Sequence, residues 1–292
     1  MRQLIKQVTP RPLADFIHRK LKGKGIPYCN VYHCCTWKSA SQWFVDVFSH
    51  PSVIEYSEMN VVTFSQWFQG LRDKGLVDFE RPDDVRHVLA NKVGRAFEFP
   101  AKAFVTTVYL SLDQFLNAPL RPPFKAFFVL RDPRDLVVSY YFSMKDSHTP
   151  HPWVLELRKR LQACDEAAGL MLAIQNLCEE GVFDSMRSWL MGARTSPHLR
   201  TFRYEDLAGD HRAFLGELFA WISLRLPDEA FERVVADTAF ERLTGGRSRG
   251  EAQQMHHLRK GVAGDWVNHL GAEHLDALKN MTGDICSDLG YR

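Results

Sequence analysis

The chain has little that marks a compartment or a bulk partner, and each shortage excludes something. Lysine and arginine total 37 against 35 aspartates and glutamates, a net charge of +2 over 292 residues. So even a balance creates no field for a nucleic-acid backbone, and any anion site has to come from local clustering of cations. No apolar run approaches the roughly 20 residues that span a bilayer. The first segment, MRQLIKQVTPRPLADFIHRKL, alternates charge with short apolar groups, so it reads as an amphipathic piece packing on the domain rather than a signal peptide or an anchor. There are six cysteines, Cys29, Cys34, Cys35, Cys164, Cys178 and Cys286, but no Cys-x-x-Cys pair. That spacing suits neither a zinc site nor a disulfide framework, and it points to reduced thiols in a cytoplasmic protein that binds no metal. Internal repeats, low-complexity tracts and linkers are absent too.

What is present is an alternation of short apolar runs with helical patterns, the signature of βαβ units. Strands are expected at 30–35, 86–90, 102–109, 124–130 and 199–204. Helices are expected at 41–49, 133–145, 153–180, 183–191, 210–224 and 272–288, and 244–262 reads as a long loop. The expected fold is α/β: a single three-layer domain over 1–292, with a central parallel sheet, a P-loop-like phosphate-binding loop, and residues 1–28 as an N-terminal extension packing on it.

Three stretches carry chemistry. The first, CTWKSASQWF at 35–44, links a strand to a helix. Unpaired N–H groups at a helix N-terminus attract phosphate. Lys38 adds a full charge there, and Ser39, Ser41 and Gln42 add donors. The stretch has no glycine, and the Walker pattern is missing. A loop already turning into helix uses right-handed backbone angles, which Ala40 adopts readily, so Ala40→Gly is expected to leave activity largely intact. In the second stretch, FKAFFVLRDPRDLVVSYYFSMK at 124–145, a strand ends at Arg131. Asp132 is placed to cap the next helix and Pro133 to start it. Arg131 then stands at a strand's carboxyl end, where open α/β sheets bind ligands, with Ser139 two turns along. Pairing of Arg131 with Asp135 is the structural alternative. In the third stretch, Arg259 and Lys260 precede Gly261, which permits close backbone approach.

Together these stretches resemble the sulfotransferase family that uses 3′-phosphoadenosine 5′-phosphosulfate (PAPS). The family's Pro-Lys-Ser-Gly-Thr-Thr-Trp is matched by Trp37-Lys38-Ser39-Ala40-Ser41-Gln42-Trp43. Its strand-end Arg followed by Ser-Tyr is matched by Arg131, Ser139 and Tyr140, and its Arg-Lys-Gly-x-x-Gly-Asp-Trp by Arg259 through Trp266. Tyr204-Glu205-Asp206-Leu207 and Thr238-Ala239-Phe240-Glu241 echo two further signatures. The resemblance implies that Lys38 to Trp43 bind the 5′-phosphosulfate, with Trp43 stacking on adenine. It implies that Arg131, Ser139, Arg259, Lys260 and Gly261 hold the 3′-phosphate, and that Tyr204, Thr238 and Phe240 line the adenine pocket. Lys38 is the implied electrostatic catalyst.

The family's Lys-Thr-His-Leu-Pro, whose histidine is the base in its best-known cytosolic branch, has no counterpart: Val105 to Leu110 stand there. Glu55 and Glu58 lead the candidates for the base, ahead of His256 and His257. Tyr109 is a poor base at neutral pH, and His33 reads as a core residue. The expected acceptor is a small-molecule, lipid-like or phenolic hydroxyl, with Trp67, Phe68, Phe79, Tyr141, Phe142 and Trp153 as candidate pocket residues. The competing readings are a P-loop kinase-like phosphotransferase and a catalytically inactive nucleotide-binding module. Oligomeric state is open.

Overall fold

Asn30-Val31-Tyr32-His33-Cys34-Cys35 carries no charge, as suits a strand covered on both faces. It forms β1 (Asn30–Cys35), with all six residues buried. The computed structural model describes residues 24–75, 98–251, 253 and 259–292. In it β1 is the centre of a five-stranded sheet with β2 (Asn60–Thr63), β3 (Ala103–Val108), β4 (Phe124–Leu130) and β5 (Leu199–Arg203). The order is β2-β3-β1-β4-β5, and every pairing is parallel. Alternate residues feed two cores. Tyr32, Cys34, Val105 and Phe128 enter one, and Val31, Phe104, Phe127 and Val129 the other. The chain is thus a single α/β domain with helices on both faces of the sheet.

Four of the five expected strands are present; 86–90 lies outside the described residues. The strand β2 was not expected. Its four residues are too few to show a period, but Thr63 and Gln66 form a capping box that starts the next helix, Phe64–Asp73. The expected helix at 153–180 is two helices, Pro152–Gln162 and Glu166–Glu179. Asp165 starts the second by accepting from Ala168 N at 2.8 Å. The expected helix at 272–288 likewise breaks at Gly283, with φ +68. Of the N-terminal extension, residues 1–23 lie outside the described region, and Ile26 is buried in the second core. No helix among the described residues is long and apolar enough to cross a membrane.

Three local features shape the site. Helix α1 (Ser41–Ser49) follows β1 directly. Helix α2 (Pro133–Phe142) starts as expected, with Asp132 accepting from Arg134 N at 2.9 Å and Pro133 in the first turn. It runs on into a π-helical turn, Ser143–Ser147, a form common at functional sites. In β3 the register against β1 passes from Tyr32↔Val105 to Cys34↔Val108, so β3 spends one extra residue, and Thr107 sits at φ +59. Bulges of this kind re-aim the side chains that follow, here Tyr109.

Candidate functional site

With all strands parallel, their carboxyl ends open along one edge, where α/β sheets bind ligands. The turn after β1, Tyr109 after β3, Arg131 after β4 and Tyr204 after β5 meet there. They line one cleft of about 1010 Å³, counted to its open mouth, with Ser139, Phe240 and Arg259 to Val262.

The turn after β1 departs from the right-handed path expected of it. Lys38 and Ala40 both lie in the left-handed region, at φ +63 and +64. Such angles cost an L-residue about 1–2 kcal/mol, and one tertiary and one local bond hold the turn. Arg131 Nη1 donates to the Lys38 carbonyl at 2.7 Å, and the buried Ser39 hydroxyl donates inward to Thr36 O at 2.7 Å. The Ser39 hydroxyl therefore does not face the cleft, whereas Ala40, Ser41, Gln42 and Trp43 do. Trp43 is only 7% exposed and packs edge-on against Phe44 and Phe214. Its Nε1 donates to Thr238 O at 2.8 Å. Thr238 is buried and reaches the cleft only through this bond; its own hydroxyl donates to Val234 O.

The Lys38 ammonium donates to Ser143 Oγ in the π-turn at 3.1 Å. Burial, then the charges of Arg131 and Arg259, lower its pKa to about 7. Arg131 is 8% exposed, lies 4.3 Å over the Tyr204 ring, and leaves its buried Nε without a partner. The alternative pairing with Asp135 does not form. The Asp135 carboxylate accepts instead from Gly264 N at 2.5 Å and Trp266 N at 2.9 Å, fixing the Arg259–Trp266 loop against α2. In that loop Arg259 and Lys260 both pair with buried Asp265, Lys260 at 2.6 Å. Burial alone raises the Asp265 carboxyl pKa, but bonds from Lys260, Arg259 and Asn268 outweigh it and hold the group far below the usual range. Gly261 sits at φ +67 so close to Phe240 that an added Cβ would lie 2.4 Å from the ring. Arg249 closes the wall, donating to Gly261 O at 2.7 Å and lying 5.1 Å over Phe240.

Among the described residues no carboxylate lines this cleft, and five cations do: Lys38, Arg131, Arg249, Arg259 and Lys260. An orphaned buried Nε, a depressed ammonium and a glycine-only wall fit a ligand with two separated anionic groups.

The expected bases fare differently. Glu55, on the helix Pro51–Ser57, is exposed and paired with Lys24. Glu58 is exposed at that helix's end, and neither lines the cleft. His256 and His257 lie outside the described residues. Of the candidate acceptor residues, Trp67, Phe68, Tyr141 and Phe142 are core. Trp153 stacks 5.5 Å from Trp37, and Phe79 lies outside the described residues. Three polar cleft residues were not singled out from the sequence: Tyr109 as a lining residue, Arg249 and His148. Tyr109 donates from its hydroxyl to Ser41 Oγ at 3.3 Å. His148 stays neutral because burial, and then the charges of Lys38, His151 and Arg158, lower its pKa to about 4. Arg247-Ser248-Arg249 was a visible cationic signal; the π-turn that aims His148 left none.

A family model described as "Sulfotransferase domain" matches residues 26–290. Mouse sulfotransferase 2B1 is 25% identical over 197 residues, covering 61% of this chain and 52% of its own length. Mouse sulfotransferase 1B1 is 28% identical over 185 residues, covering 56% and 58%. The chain thus spans a little over half the length of these curated relatives. Mouse sulfotransferase SULT7A1 complexed with PAP superimposes with a TM-score of 0.55 at 15% identity, covering 88% of this chain and 84% of that one. Retinol dehydratase in complex with androsterone and the inactive cofactor PAP gives 0.50 at 16%, covering 90% and 82%. These two likenesses establish the fold.

Proposed function

The chain belongs to the sulfotransferase family, and from that premise we propose that it transfers a sulfuryl group from PAPS to the hydroxyl of a small-molecule, lipid-like or phenolic acceptor. The observation that carries the reading is the meeting of Lys38, Arg131, Arg259 and Lys260 in one cleft, with no carboxylate in its lining among the described residues. PAPS, when bound, supplies an activated sulfuryl group and a phosphate leaving group. Lys38 meets the negative charge that grows on the leaving oxygen, the kind of contact that lowers the barrier most. The α1 N-terminus adds its dipole. Arg131, Ser139, Arg259, Lys260 and Gly261 hold the second phosphate, and Tyr204, Trp43 and Phe240 wall the adenine.

The acceptor class draws on the relatives: two guinea-pig relatives are a 3-beta- and a 3-alpha-hydroxysteroid sulfotransferase, and the retinol dehydratase complex holds androsterone. A cytoplasmic location is part of the proposal and is supported by six cysteines that all remain free thiols.

Thermal melts with 3′-phosphoadenosine 5′-phosphate (PAP), ATP and AMP test the nucleotide assignment. Ligand at 100 times its Kd stabilises by about 2.7 kcal/mol, a rise of several degrees for a chain of this size. The expected outcome is a shift with PAP and none with ATP or AMP. An equal shift with ATP would favour the kinase-like reading, and no shift at all would remove nucleotide binding.

A further inference from the structure

The histidine that serves as base in the family's best-known cytosolic branch has no counterpart here, and the leading carboxylate candidates sit away from the cleft. Of the described residues lining the cleft, five are cations, two are tyrosines and one is a histidine, His148; none is an Asp or Glu. His148 is also tied to Lys38 through one residue. Its backbone N–H donates to Ser143 O at 2.7 Å, closing the π-turn, while the Ser143 hydroxyl accepts from Lys38 Nζ at 3.1 Å. On the other side Arg158 Nη2 donates to the His148 carbonyl at 2.7 Å, and Trp153 stands 6.1 Å from the imidazole. The backbone is therefore held from both sides, and the ring remains half-buried in the same cleft as Lys38.

We propose that His148 is the general base for the acceptor hydroxyl, held beside Lys38 by the π-helical turn Ser143–Ser147. This rests on the transferase reading above and adds a residue to it. The acceptor O–H gives its proton to an imidazole nitrogen of His148 as the acceptor oxygen bonds to sulfur. The sulfur–oxygen bond to the 5′-phosphate breaks, its electron pair stays on the phosphate oxygen, and the Lys38 ammonium meets that charge. His148 then releases the proton to solvent, and no further reactant is needed.

The charges facing the imidazole explain how it stays ready. Lys38 from the turn after β1, and His151 and Arg158 from the segment after it, all disfavour a proton on His148 in the free protein, in addition to burial. Arg131 and Arg259 lower Lys38 in the same way. Two bound phosphate groups offset those cations, and an anion near a histidine raises its proton affinity. His148 would thus enter the reaction deprotonated and become a stronger base once the nucleotide is in place. Efficiency is greatest when the base pKa lies near the working pH.

Two measurements test this. The first needs no turnover: imidazole signals are followed by NMR against pH with and without PAP, His148 being assigned from its loss in His148→Gln. The expected result is titration well below the ordinary histidine range in the free protein and a clear upward move with PAP. Ordinary titration in both states would overturn the proposal. The second follows labelled sulfate from PAPS to alcohols and phenols of graded acidity, with water present as the default acceptor. His148→Gln is expected to cut kcat for alkanols by about 10²–10⁴-fold, progressively less for more acidic phenols, with the KM for PAPS unchanged. Imidazole added to His148→Ala is expected to restore part of the rate. Retention of the rate within about threefold, or an equal loss for every acceptor whatever its acidity, refutes a base at this position. So does loss on His256→Ala or His257→Ala with His148→Gln unaffected. Failure of these tests with the PAP melting shift intact removes only the base; loss of that shift removes the reading beneath it.

Discussion

The ammonium of Lys38 provides the sharpest test of the cleft, because its proton affinity should report on the ligand. In the free protein burial and the charges of Arg131 and Arg259 bring its pKa to about 7. Phosphate monoesters lose their second proton near pH 6, so PAP already carries its full charge above pH 7. If the bound anions return Lys38 to the ordinary lysine range near 10.4, binding must be accompanied by proton uptake. At pH 8 a group with a pKa of about 7 is roughly one-tenth protonated, so each PAP that binds draws about 0.9 proton from solution. The same linkage sets the affinity: Lys38 is about half protonated at pH 7 and about 1% at pH 9, so the Kd for PAP should rise about fifty-fold between them. Calorimetry in buffers of different ionisation enthalpy reads the uptake directly, and the Kd at each pH checks it. Lys38→Met should bind more weakly at pH 7 and lose both the uptake and the slope. A wild-type Kd that is flat from pH 7 to 9, with no proton taken up, would refute this role for Lys38.

Removing the guanidinium in Arg131→Ala or Arg259→Ala should weaken PAP about 10- to 100-fold by calorimetry, the worth of one hydrogen bond to a charged group. Gly261→Ala forces a Cβ to 2.4 Å from Phe240 at a left-handed residue, so PAP affinity should fall sharply while circular dichroism keeps its native shape. Ala40→Gly relieves a left-handed alanine at φ +64 and should raise stability by about 1 kcal/mol in urea unfolding, with PAP affinity preserved. His33 is fully buried between Phe44 and Phe127, neither ring nitrogen has a partner, and burial lowers its pKa to about 3. The unfolded chain titrates near 6.5 and so binds the extra proton first. The contribution to stability is intact above that pH and is lost as pH falls toward 3, on the order of 5 kcal/mol in all. His33→Leu should gain about 1–3 kcal/mol at pH 7 and flatten that acid limb in urea titrations.

What could be read from the sequence was what local chemistry determines. The strand runs at 30–35, 124–130 and 199–204 are apolar, short and bounded, so their burial follows from composition. The cap Asp132-Pro133 is a local hydrogen bond, and the cations Lys38, Arg131, Arg259 and Lys260 sit at motif positions whose spacing survived. What could not be read depends on distant partners. The angles of Lys38 and Ala40 answer to Arg131, some ninety residues away along the chain. The β3 bulge and the π-turn leave no trace in periodicity, yet they place Tyr109 and His148 in the cleft. Glu55 and Glu58 were plausible by analogy of position alone, and nothing in a linear pattern says which way a helix faces. Asp265, the shared partner of Arg259 and Lys260, lay inside the matched motif but carried no signal of its pairing.

That pairing makes the two ends of the cleft unequal. Arg259 and Lys260 already share a buried carboxylate, Asp265, and Asp135 pins the loop that carries all three. A phosphate arriving there adds to a site whose geometry and charge are settled, which suits recognition more than catalysis. At the reacting end Lys38 has a neutral partner, the Ser143 hydroxyl. Among the described residues no carboxylate lines the cleft beside it, and repulsion from Arg131 and Arg259 helps burial to lower its pKa. An ammonium buried near other cations without a counter-ion of its own raises the free energy of the free protein and gives it back to whatever negative charge enters. The return is largest where that charge is most concentrated, and during sulfuryl transfer it grows on the leaving oxygen. The fold therefore leaves its uncompensated charge at the reacting end and compensates it at the other, so that stabilisation rises along the reaction instead of being spent on binding.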